Sequence, residues 1–142
     1  MNPFAFDVLP SDWNHRVLGI DDFYSFCKQE GVEVYELDMS IDGLYTIFAD
    51  VPVILLKLTL SEPDLTFVAF HELAHYWLHE PGQQFKWAFE SKMDFEANLV
   101  ASCALIPCSL LESHASADIQ RQFGYSTEVI QFREQVYRDW KI

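Results

Sequence analysis

The chain has 142 residues, half of them hydrophobic, with twelve Phe, six Tyr and four Trp. This length and composition predict one folded domain with a hydrophobic core and exclude a largely disordered chain. A formal net charge of -13 opposes the phosphate backbone of nucleic acid, so direct nucleic-acid binding is not expected. No apolar stretch is long enough to span a bilayer and no leader pattern opens the chain, which favours a cytoplasmic protein without membrane attachment.

The first regular segments are predicted to be a short helix and three strands. Asp21 and Asp22 open an apolar pattern that Gly31 closes, which is typical of a capped helix. Three β-branched and aromatic runs follow, at residues 32–37, 43–48 and 53–60. A short turn joins the last two runs, so we predict an antiparallel hairpin within a three-stranded antiparallel sheet whose edge is open to an extended peptide.

The rest of the chain is predicted to be helical. Ser61, with Asp64 three residues later, has the pattern of a helix start. Apolar residues then fall on nearly every side to about His79, which predicts a buried central helix ended by Pro81 and Gly82. Further helices are predicted at residues 90–106, 113–123 and 127–140. The predicted fold class is therefore α+β, a small sheet packed against a buried helix and several further helices.

The buried helix contains His71, Glu72 and His75, which form the pattern HExxH. Histidines four residues apart stack on one helix face, at a spacing that a single tetrahedral zinc ion accepts. Glu72 lies about 100° around the helix from His71, so its carboxylate can reach a metal-bound water without taking a coordination position. Burying these groups without a partner costs on the order of several kcal/mol. We therefore predict zinc, with the two histidines as ligands and Glu72 as catalytic base.

A catalytic zinc ion has three protein ligands, so a third must come from elsewhere in the chain. His79 continues the histidine stripe, but it lies roughly 12 Å along the helix axis from His71. That separation is too long for three ligands on one straight helix to reach one ion. His79 is therefore predicted to lie at the surface or behind the ligands.

Glu96, on the helix that follows, is the preferred third ligand. Its neighbours three, four and seven positions later are apolar, so its carboxylate projects from an apolar face and needs a cation. Asp94 shares a helix face with Asn98 and is the second choice. Glu90 is disfavoured because it lies close to the start of the helix.

Four segments occur in an order typical of one family, within a stretch from about Gly43 to Pro107 that covers nearly half of the chain. They are Gly43-Leu44-Tyr45, Val53-Ile54-Leu55-Leu56, the stretch from Thr66 to Tyr76, and Glu96-Ala97-Asn98 followed by Leu105-Ile106-Pro107. This combination resembles the ImmA/IrrE family of metallopeptidases. The resemblance implies a single zincin-like domain over residues 1–142, with a catalytic core at about 21–107 and a helical C-terminal part at about 108–142. It also implies a gluzincin-like site in which His71, His75 and Glu96 hold zinc.

The resemblance implies a zinc-dependent endopeptidase that cleaves a helix-turn-helix transcriptional repressor, relieving repression in a mobile element, a phage or a stress response. The alternative is a non-catalytic zinc-containing module that sequesters a repressor or an antitoxin-like partner. Glu72 favours catalysis, because a purely structural site needs no base. A peptidase acting on DNA-bound proteins would need DNA affinity of its own. The sequence does not choose an oxyanion-stabilising donor among Tyr45, Tyr76, His114 and Tyr125.

Overall fold

The computed structural model describes residues 6–79 and 90–142. Its elements in chain order are α1 (Ile20–Glu30), β1 (Glu33–Leu37), β2 (Gly43–Phe48), β3 (Val51–Lys57), α2 (Glu62–Leu78), α3 (Glu90–Leu105), α4 (Cys108–Ser113), α5 (Ser116–Phe123) and α6 (Thr127–Trp140). The predicted α+β class is confirmed, and the arrangement is compatible with a zincin-like fold. Within the described ranges, the short helix α4 is the one element that the sequence did not predict. Pro81 and Gly82, expected to end the central helix, lie outside the described residues.

The three-stranded sheet is mixed, not antiparallel. β3 lies in the centre of the order β1-β3-β2. β2 pairs with β3 antiparallel, as the hairpin predicts, but β1 pairs with β3 in parallel. The prediction of a purely antiparallel sheet was therefore wrong for β1. The loop after β1 crosses the end of β3, where the amides of Lys57 and Leu58 donate to the carbonyls of Asp42 and Leu37. Strand β2 and its hairpin thus form the crossover that a parallel pair requires.

The helix α2 is central to the fold, because it packs against α1, α3, β2 and β3. It begins after Ser61, whose side chain accepts a hydrogen bond from the amide of Asp64, as the sequence predicts. Ala69, Phe70 and Leu73 are fully buried along it. The HExxH residues therefore lie between the sheet and α3. No helix in the two described ranges has both the length and the apolar character needed to cross a bilayer.

The helix α3 packs against both α2 and α6. Ala97 clusters with Ala74 of α2, whereas Leu99 and Cys103 cluster with Val136 of α6. These residues of α3 are all fully buried. The apolar residues that surround a given side chain on α3 therefore do not by themselves show whether that side chain faces α2 or α6.

Candidate metal centre

His71 and His75 of α2 and Asp94 of α3 bring three potential donor atoms together. His71 Nε2 lies 3.2 Å from His75 Nε2. Asp94 Oδ1 lies 3.7 Å from His71 Nε2 and 3.5 Å from His75 Nε2. Two donors of a tetrahedral zinc site, each about 2.0–2.1 Å from the ion, are about 3.3 Å apart. The three separations therefore fit one face of a tetrahedral site, and the donor set suits a divalent metal ion.

Glu96, predicted as the third ligand, is not a member of this group. Its Oε2 lies 3.9 Å from His79 Nε2. Asp94, the second choice from the sequence, lies beside the two motif histidines instead. It shares a face of α3 with Asn98, and both contact histidines of α2, whereas two of the apolar neighbours used to place Glu96 face α6. The side chain of Glu90 lies outside the described part of the chain.

Each motif histidine uses its other ring nitrogen for a hydrogen bond. His71 Nδ1 lies 2.8 Å from Asn98 Oδ1, and His75 Nδ1 lies 2.9 Å from His79 Nδ1. Because the amide oxygen of Asn98 can only accept, His71 carries its proton on Nδ1 and has a lone pair on Nε2. Sequence reasoning did not identify Asn98 as this partner. The available signal was its position one helical turn after Asp94.

Burial keeps the three imidazoles neutral, which is the form that binds metal ions. It lowers the pKa of His71 and His79 below the ordinary value. It also lowers the pKa of His75 to about 3, with smaller effects from the neighbouring His71 and His79. For His71 the hydrogen bond to Asn98 and the charge of Asp94 act in the opposite direction. Near neutral pH the two motif histidines therefore have no proton to lose before binding a metal.

Glu72 is buried next to the donor atoms, with 8% of its surface exposed. Burial and, less strongly, the charge of Asp94 raise the pKa of Glu72 to about 7, while a hydrogen bond from the backbone of Tyr45 lowers it. A carboxyl group that titrates near neutral pH can both accept and return a proton under working conditions. Glu72 therefore has the properties of a general base.

A cavity of about 260 Å³ opens beside these residues. Its lining includes Gly43, Phe67, Val68, His71, Glu72 and Asn98. One wall thus comes from the start of β2, one from α2 and one from α3. Through this cavity a short peptide segment can reach His71 and Glu72.

Residues 27–134 match the family model described as Peptidase_M78, IrrE N-terminal-like domain. The chain belongs to this family. The resemblance to ImmA/IrrE metallopeptidases is thereby confirmed, and membership in Peptidase_M78 indicates a metallopeptidase. No curated protein matches the chain.

We expect Glu72→Gln to stabilise the metal-free Peptidase_M78 domain at about pH 8 by about 1–3 kcal/mol, and much less at about pH 5. The Glu72 carboxyl has a pKa of about 7 in the folded protein, against 4.5 as its ordinary value. Between these values the folded state binds the additional proton, so stability falls as the pH rises through 7. Glutamine stays neutral at every pH, so the variant does not lose this stability as the pH rises. Urea unfolding at both pH values measures the difference.

The exposed Glu128 offers a control for this pH effect. Glu128→Gln should change the free energy of unfolding by the same small amount at both pH values. An equal gain for Glu72→Gln at both pH values would contradict the raised pKa of Glu72.

Gly43 allows β2 to approach α2 closely. A Cβ atom at this position would lie 2.6 Å from Val68 Cγ1 and 3.0 Å from Glu72 Cγ. We therefore expect Gly43→Ala to lower the free energy of unfolding by about 1–3 kcal/mol, measured by urea denaturation. In a Val68→Ala background, Gly43→Ala should lower the free energy of unfolding by less, because Val68 Cγ1, the closest atom, is absent. Strict additivity of the two substitutions would contradict this explanation.

The structure narrows the candidates for an oxyanion donor. Tyr125 is buried, and its hydroxyl donates to the carbonyl of Leu105 at 3.1 Å. His114 is exposed and pairs with Ser113. The rings of Tyr45 and Tyr76 pack edge to face with centroids 6.0 Å apart. These two tyrosines remain as candidates, since Tyr76 lies on α2 and Tyr45 lies on the neighbouring strand β2.

Proposed function

We propose that this Peptidase_M78 domain is a zinc-dependent endopeptidase in which His71, His75 and Asp94 hold the metal ion. The observation that carries the proposal is the triangle of donor atoms, with separations of 3.2, 3.5 and 3.7 Å, beside the buried Glu72. Two imidazoles and one carboxylate form a donor set that zinc accepts at catalytic sites. In this proposal Asp94 replaces Glu96 as the third ligand.

The proposed mechanism assigns proton transfer to Glu72. When bound, zinc lowers the pKa of a coordinated water and polarises the scissile carbonyl. Glu72 lies outside the donor group and titrates near neutral pH, so it can take a proton during attack and return it to the leaving amine. Asn98 orients the ring of His71 by accepting a hydrogen bond from His71 Nδ1. Each residue thus has one distinct task in the reaction.

The position of β2 supports an extended substrate. In the order β1-β3-β2 this strand lies at the edge of the sheet, and its first residue, Gly43, lines the cavity together with Glu72. Extended peptides add to exposed strands through main-chain hydrogen bonds. A peptide that follows the β2 edge would pass the base, which favours an endopeptidase acting within a chain.

The proposed substrate is a helix-turn-helix transcriptional repressor in the cytoplasm, as the resemblance to the ImmA/IrrE family implies. The net charge of -13 supports this choice, because an acidic protein attracts a basic, DNA-binding partner and is repelled by DNA itself. Relief of repression in a mobile element, a phage or a stress response would follow from cleavage.

Metal analysis followed by incubation with any helix-turn-helix repressor encoded near its gene tests the proposal. The purified protein should bind zinc, and the zinc-loaded form should cut the repressor while a chelator prevents cleavage. A repressor that stays intact but forms a stable complex with the zinc-loaded protein would contradict the peptidase assignment. That result would support the non-catalytic alternative of sequestration.

A further inference from the structure

His79 lies behind His75 and belongs to neither the donor group nor the solvent-exposed surface. Its side chain is 6% exposed, and its Nδ1 lies 2.9 Å from His75 Nδ1. Its other nitrogen, Nε2, is buried and has no hydrogen-bond partner among the described residues. Glu96 Oε2 faces this nitrogen at 3.9 Å. A histidine and a carboxylate therefore stand in line behind one of the two motif histidines.

The positions of the ring protons follow from the chemistry of the proposed site. If His75 offers the lone pair of Nε2 to the metal, its proton is on Nδ1 and must be donated to His79 Nδ1. His79 then carries its own proton on Nε2, the nitrogen that faces Glu96. Each proton in this series points from the metal site towards the carboxylate, so the charge of Glu96 favours the arrangement.

We propose that His79 is a positioning residue that accepts the Nδ1 proton of His75 and holds the His75 ring with Nε2 towards His71 and Asp94, while Glu96 orients His79 in turn. This inference rests on the proposed function, because it assumes that the donor group binds zinc. Hydrogen bonds to the second nitrogen of a ligand histidine fix its tautomer and orientation, and their loss weakens metal binding by about 10–100-fold.

Two other roles for His79 lead to different expectations. As a direct ligand it would need a nitrogen near Asp94 Oδ1, yet its Nδ1 approaches the nitrogen of His75 that faces away from the donor group. As a simple packing residue it would be replaced best by an apolar side chain of similar size. The positioning role requires instead an acceptor atom close to His75 Nδ1.

Asparagine and leucine have similar shapes, but only asparagine has an acceptor oxygen near the place of His79 Nδ1. Zinc affinity, measured by competition with a chromophoric chelator, should fall by about 10–100-fold in His79→Leu and be largely retained in His79→Asn. His15→Leu, at an exposed histidine, should leave the affinity unchanged. Urea unfolding of the metal-free variants shows whether each still folds.

Nitrogen-15 NMR of the histidine rings in the zinc-loaded wild type tests the same inference without any substitution. We expect His75 protonated on Nδ1 and His79 protonated on Nε2. The opposite tautomer at His79, or a His79→Leu variant that binds zinc as tightly as the wild type, would overturn the positioning role alone. A wild-type protein that does not bind zinc would overturn the proposed function, and the inference with it.

Discussion

Replacing Glu72 by glutamine should slow peptide cleavage strongly while zinc binding stays intact. Glutamine keeps the shape of the side chain but cannot take a proton, so the rate should fall by about 100- to 10,000-fold, the usual contribution of a general base. Metal binding should persist because Glu72 is not among the donor residues His71, His75 and Asp94. Cleavage is followed by gel electrophoresis of the repressor, and bound zinc by metal analysis of the same samples.

Glu128→Gln, an exposed exchange of the same kind, serves as the matched control and should cleave at the wild-type rate. Undiminished cleavage by Glu72→Gln would contradict the assignment of the base. Loss of zinc from Glu72→Gln would show that this carboxylate acts as a ligand, which would overturn the division of roles within the motif.

Asp94→Asn should weaken zinc binding far more than Glu96→Gln does. Both changes replace a carboxylate by the amide of the same size, but only Asp94 Oδ1 lies near the Nε2 atoms of both motif histidines. Loss of residues that support the ligands typically lowers metal affinity by about 10–100-fold, and loss of a ligand should lower it further. We therefore expect zinc affinity to fall by more than about 100-fold in Asp94→Asn. Glu96→Gln should lower the affinity by about 10-fold or less, because it acts through His79.

Competition with a chromophoric chelator measures both affinities under one set of conditions. Asp118→Asn, at an exposed carboxylate on α5, controls for the general effect of removing one negative charge. If Glu96→Gln proved the more damaging of the two, Glu96 would be the third ligand, as the sequence alone suggested. Asp94 would then have only an electrostatic role.

The parts of the fold that depend on local pattern could be predicted from the sequence. Ser61 and Asp64 mark the start of α2, and Gly31 ends α1 with φ 73°, because caps act within one helical turn. The parallel pairing of β1 could not be predicted in the same way. Which strand lies in the centre depends on contacts across the sheet, and the spacing of runs along the chain does not encode it.

In the candidate site, too, the residues fixed by local geometry could be predicted and those fixed by helix packing could not. His71, Glu72 and His75 could be placed because their geometry is fixed within one helix. The third position depends on how α3 is rotated against α2. Since α3 buries apolar residues towards both α2 and α6, its apolar pattern does not indicate which carboxylate faces the histidines. Asp94 and Asn98 face α2 through contacts that only the packed structure reveals.

The contact between α2 and α3 has a consequence for how this protein would respond to change. Ala74 of α2 and Ala97 of α3 pack together where the two helices approach, and both helices contribute proposed ligands. Metal binding at the proposed site would therefore be thermodynamically linked to helix packing, so free zinc should raise the melting temperature in proportion to the logarithm of its concentration above the dissociation constant. By the same linkage, a bulky residue at Ala97 would reduce zinc affinity without touching a ligand.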